Sequence, residues 1–104
     1  PFVAKAPGDQ LAALRERLDA LDGAWLAVLA ERFQVTQQVS ALKAKGQLPL
    51  RDPAREAAQL ARIEAEAEAH GVPPALARTL LEHIQAQVVA DHAAFQQAQA
   101  GDAS

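Results

Sequence analysis

Residues recur along the first half of the chain at alternating spacings of three and four, from Leu11 through Leu14, Leu18, Leu21, Trp25, Val28, Arg32, Val35 and Val39 to Leu42, every one of them apolar except Arg32. That spacing is the seam of a coiled coil, and it predicts one helix from an N-cap at Asp9 to a stop at Gly46. Gly23 interrupts the helix at a cost of roughly 1 kcal/mol relative to alanine, too little to end it. A second helix is expected from Asp52 as N-cap and Pro53 as first residue, a well-matched start pair, to about His70, with Gly71 as its stop. Glu56, Leu60, Ile63 and Ala67 form its inward stripe. A third helix begins around VPPALA and runs to about Gln97, with Leu81, Gln85, Val88, His92 and Phe95 on one face. Residues 1–8 read as a flexible N-terminal segment, 9–97 as the helical domain and 98–104 as a disordered tail.

No stretch alternates apolar and polar in the manner of a strand, and alanine makes up about a quarter of the 104 residues. The class is all-α, three helices with a very long first one. A helix of about 35 residues runs on the order of 50 Å, whereas a compact globule of this size has a radius of gyration of about 13 Å. The other two helices are too short to cover the whole seam from within one chain. The seam needs a second copy, which predicts an intertwined homodimeric helical bundle.

Charge and composition narrow the partners. A net charge of −3 with no basic patch argues against nucleic acid, and no apolar run approaches the roughly 20 residues that span a bilayer. The absence of cysteine excludes a disulfide framework, a thiolate nucleophile and a Cys-ligated metal. The opening stretch PFVAKAPGDQ has neither the charged nor the apolar region of a signal peptide, so a cytoplasmic location is expected.

Several charges stand on faces that should be apolar. Arg32 occupies a seam position, where a guanidinium is costly to bury unless an anion meets it. Lys43 lies about 20° around the helix from it. In one reading Arg32 pairs with an internal carboxylate, Lys43 snorkels to solvent, Glu56 merely complements a helix dipole and His92 fills a core. In the other, Arg32, Lys43, Arg55, Glu56, Gln59 and His92 converge between the helices, and their cationic excess holds a small dianion. His83 and His92 point to opposite faces, so no metal site is expected, and no nucleophile–base pair or glycine-rich phosphate loop is present.

In sequence order the chain carries LAALR, AER, VSALK and PLRDPARE, and this combination resembles the all-helical chorismate mutases over nearly its whole length. In that family a long first helix threads two protomers into a dimer with two shared sites. The resemblance implies that Arg15 reaches into the partner's site, and that Arg32, Lys43 and Arg55 hold the two carboxylates and the ether oxygen of the substrate. Asp52 and Glu56 match residues near the substrate hydroxyl, and Gln59 sits at a position that is apolar or glutamine. His92 stands where many members place a Gln or Glu that hydrogen-bonds the ether oxygen. Val88, one turn earlier, replaces a Ser or Thr. The stretch VVADHAAF is similar to a bacterial subgroup with a histidine pair in this helix.

The implied activity is an isomerase, the rearrangement of chorismate to prephenate in the shikimate pathway to aromatic amino acids. The reaction is pericyclic and uses no nucleophile, base or cofactor, so none is expected. Arg15, Arg32 and Arg55 would orient the carboxylates, while Lys43 and His92 would donate to the ether oxygen. Two alternatives stay open: an isochorismate-pyruvate lyase on the same scaffold, and a non-catalytic helical dimer acting as a regulatory or binding module.

Overall fold

The computed structural model describes residues 6–102 as three helices: α1 at Pro7–Lys45, α2 at Pro53–Ala69 and α3 at Pro74–Asp102. They fall into two compact units that divide α1 after Gln34. Among the described residues no helix is long and apolar enough to cross a membrane.

The outer boundaries differ from the sequence expectation. The helix α1 begins at Pro7 and not after Asp9, because proline lacks the N–H that a first-turn residue leaves unpaired. Asp9 sits inside the first turn, where its charge meets the positive end of the helix dipole. Pro7 and Gly8, expected to be flexible, are therefore helical, while residues 1–5 lie outside those described. At the other end α3 continues past Gln97 through the expected tail to Asp102, carried by the strong helix formers of AFQQAQA. Residues 103 and 104 lie outside the described part.

The first unit consists of α1 up to Gln34, and its apolar seam is open. Leu14, Leu18, Leu21 and Trp25 are 53%, 59%, 58% and 55% exposed. The Trp25 indole donates to the Asp22 carboxylate at 3.2 Å, which satisfies its one polar atom without covering its rings. Helix geometry runs through Gly23 without a break.

The second unit packs α2 against α3. Leu60, Ala67 and Leu81 are its buried apolar residues among those described, and Arg78 of α3 reaches Glu64 of α2 at 2.9 Å. That pair is exposed and contributes little. On the last turns of α1 the buried or half-buried residues are Thr36, Ser40, Lys43 and Ala44, a largely polar face. The seam residues Val35, Val39 and Leu42 remain 54%, 38% and 65% exposed. Successive helix positions differ by about 100°, so Ser40 turns inward while Val39 beside it points away.

Two turns close the helices by the same device. After α2, Val72 N–H returns to the Ala67 carbonyl at 2.8 Å and Gly71 N–H to Glu68 at 3.2 Å, a Schellman motif with Gly71 in the left-handed region at φ 73°. After α1, Leu48 N–H returns to Lys43 at 2.8 Å and Gln47 N–H to Ala44 at 3.3 Å. Here the left-handed residue is Gln47, at φ 53°, and Gly46 stands one place before it. The opposed substitutions should have opposite signs. Gln47→Gly should stabilise by roughly 1 kcal/mol and Gly71→Ala should destabilise by roughly 1 kcal/mol, read as shifts in urea midpoint. Shifts of the same sign would contradict this account of the turns.

Candidate active site

The RDPARE stretch builds one wall of the site through its helix start. Pro53 opens α2, and the Asp52 carboxylate caps it by accepting the Arg55 backbone N–H at 3.1 Å. The cap fixes where the next side chains emerge. Glu56 faces inward and is half-buried, while Arg55 is exposed. Arg51, just before the cap, grips Glu56 with two bonds, Nη2 to Oε1 at 2.6 Å and Nε to Oε2 at 3.2 Å. This grip holds the Glu56 carboxyl below the usual carboxylate range, against the opposing effect of burial, with the charge of Lys43 adding a smaller pull.

A second polar link joins α2 to α3. The Gln85 amide donates to the Glu56 carbonyl at 3.1 Å and to Gln59 Oε1 at 3.1 Å. Both of its hydrogens are committed, so the Gln59 side chain is oriented with its own NH₂ left to donate. Val88 is half-buried on α3, one turn before His92, and offers no polar atom.

Lys43 and His92 form the remaining part. The Lys43 ammonium donates to the Leu50 carbonyl at 3.2 Å, which draws it over the connection between α1 and α2. His92 is buried and hydrogen-bonded through Nδ1 to the hydroxyl of Ser40 on α1. Burial pushes its imidazole below the ordinary value, the Lys43 charge pushes it further the same way, and Asp91 opposes both. Lys43 therefore acts electrostatically on both Glu56 and His92.

Not every expected residue is gathered there. Arg15 and Arg32 belong to the first unit, the former exposed and the latter half-buried. Among the described residues Arg51, Arg62 and Arg78 each pair with a carboxylate, whereas Arg15, Arg17, Arg32, Lys43, Lys45 and Arg55 pair with none. The internal carboxylate that could have partnered Arg32 is thus absent among the described residues.

Three residues escaped the sequence reading of the site: Arg51, Ser40 and Gln85 as a linker. A signal existed for Arg51, an arginine directly before an N-cap with a glutamate in the first turn after it. None existed for Ser40, whose partner lies 52 residues away.

Residues 14–92 match the family model described as chorismate mutase type II. The chain is similar to a T-protein from Enterobacter agglomerans, 41% identical over 75 residues that make up 72% of this chain and 20% of that protein. It is also similar to a 4-amino-4-deoxychorismate mutase from Streptomyces pristinaespiralis, 38% identical over 79 residues, 76% of this chain and 61% of that protein. The chain thus spans less than two thirds of either relative.

The lowered imidazole sets a pH dependence. The unfolded chain binds a proton at His92 near pH 6.5 while the folded chain still resists it, so stability should fall as pH drops from about 6.5 toward the folded-state value and be constant above. Urea midpoints between roughly pH 5 and 7.5 should show this slope, and His92→Gln should flatten it. An unchanged slope in the variant would mean that other groups carry it.

Proposed function

The chain belongs to the chorismate mutase type II family, and we propose that it rearranges chorismate to prephenate in aromatic amino acid biosynthesis, in the cytoplasm, as an intertwined homodimer with shared sites. The observation that carries the reading is that none of the four cations assigned to substrate is taken up by a carboxylate among the described residues. Arg15, Arg32, Lys43 and Arg55 find no carboxylate among the described residues of their own chain, although acidic residues outnumber basic ones in its sequence. A dianion is the species that such a set would bind.

The exposed seam of α1 supports the second copy. A strip of leucines more than half exposed is an association surface, and a heptad seam is complementary to another heptad seam. Arg15 would then serve the site of the opposite protomer, joining Arg32 and Arg55 on the substrate carboxylates. Asp52 and Glu56 would lie by the hydroxyl, and Gln59 and Val88 would line the wall.

The rearrangement breaks the ether C–O bond as a C–C bond forms, within one molecule and with no proton moved. Catalysis therefore reduces to holding the enolpyruvyl arm over the ring and stabilising negative charge on the ether oxygen. Lys43 supplies a fixed ammonium for that oxygen, and His92 donates to it when its Nε2 carries a proton. Arg51 already neutralises Glu56, which favours a neutral hydroxyl over an ammonium at the neighbouring ring substituent. Chorismate is accordingly preferred to the 4-amino compound in the name of the Streptomyces relative.

Incubation with chorismate, 4-amino-4-deoxychorismate and isochorismate, one at a time, tests the reading. Prephenate from chorismate should be the fastest product, and Lys43→Ala should lose on the order of 10²-fold or more in kcat. Salicylate and pyruvate from isochorismate as the main products would make the protein a lyase. No turnover of any of the three would leave a non-catalytic dimer.

A further inference from the structure

Ser40 and His92 are each 3% exposed, and they meet through the serine hydroxyl and Nδ1 of the ring. The same hydroxyl oxygen lies 3.1 Å from the Thr36 carbonyl, one turn earlier on α1. A serine hydroxyl has one proton to give, and a backbone carbonyl can only accept. With the proton on the Thr36 side, the oxygen must accept from the ring. The opposite arrangement, with the serine proton on Nδ1, would set two oxygen acceptors 3.1 Å apart with no hydrogen between them.

We propose that Ser40 is a positioning residue that holds neutral His92 as the Nδ1–H tautomer, leaving Nε2 with a lone pair and no proton. The hydrogen-bond chain runs in one direction, from His92 Nδ1–H to Ser40 Oγ and from Ser40 Oγ–H to Thr36 O, and every member is satisfied. Nothing in the mutase reaction is needed for this assignment, which stands on the geometry of the two helices.

Its consequence for the reaction rests on the function proposed above. A bare Nε2 repels an oxygen that is gaining negative charge, so the neutral ring gives that oxygen no help. Only the imidazolium donates from Nε2, and the groups acting on the ring set how much of it exists. Burial and, after it, Lys43 from α1 oppose the second proton, and Asp91 on α3 favours it. At neutral pH the ether oxygen is then left to Lys43.

Long-range ¹H–¹⁵N correlation on the ¹⁵N-labelled 104-residue chain at pH 7.5 reads the tautomer directly, with the His92 signals identified by their loss in His92→Gln. The expected pattern is a pyrrole-like Nδ1 and a pyridine-like Nε2. Ser40→Ala should shift the ring toward Nε2–H, and Ser40→Thr, which keeps a hydroxyl, should restore the wild-type pattern. A proton on Nε2 in the wild type, or averaged shifts at both nitrogens, overturns the proposal even if Ser40→Ala fails to fold. An unchanged tautomer in a folded Ser40→Ala overturns Ser40's part in it. The expected tautomer in a protein without mutase activity would instead overturn the function while leaving this assignment intact.

Discussion

An apolar seam that its own chain leaves uncovered is the constraint from which the rest follows. Within the second unit α1 buries Ser40, half-buries Thr36 and Lys43 and leaves Val35, Val39 and Leu42 exposed. An ordinary amphipathic helix does the reverse. At about 25 cal/mol per Å² of apolar surface, a long strip of leucines and valines is a reserve of stabilisation that the protomer does not use. The proposed dimer realises that reserve. It also explains why the buried apolar residues of the second unit, among those described, can be as few as Leu60, Ala67 and Leu81.

Turning the seam outward leaves the polar face of α1 for chemistry. Lys43 and Ser40 emerge there, and each acts on a different neighbour: Lys43 on the Leu50 carbonyl and electrostatically on Glu56 and His92, Ser40 on His92. The carboxylates near the site are already spoken for. Asp52 caps α2, and Arg51 takes Glu56, so neither is left to neutralise the cations proposed for substrate. Removing internal counterions in this way costs stability, and it is what a site for an anionic ligand requires.

Much of this was legible from the residues. The three-and-four spacing foretold the long helix, and Asp52–Pro53 marked the start of α2 to the residue. Leu81, Gln85, Val88, His92 and Phe95 do share the buried side of α3. The termini were less legible, because a proline or a run of alanine and glutamine shifts a frayed boundary by energies that no strong pattern marks. In the site, Glu56 and His92 were recognisable as inward polar residues, but their partners were not. Arg51 stands just before an N-cap, and Ser40 lies beside the seam with its partner on another helix. Long-range polar pairs leave no periodic trace, which is why the resemblance to a family, and not spacing, supplied the roles of Arg15, Arg32 and Arg55.

The central claim is that two chains complete each site across the α1 seam. Mixing unfolded Arg15→Ala and Arg32→Ala chains and refolding them together tests it most directly. Each variant alone should be nearly inactive, because every one of its sites lacks an arginine. In the mixture half of the dimers should be mixed, and one of their two sites should hold both arginines, so activity should recover to about a quarter of the wild type. A mixture no more active than either variant alone would contradict the shared-site account.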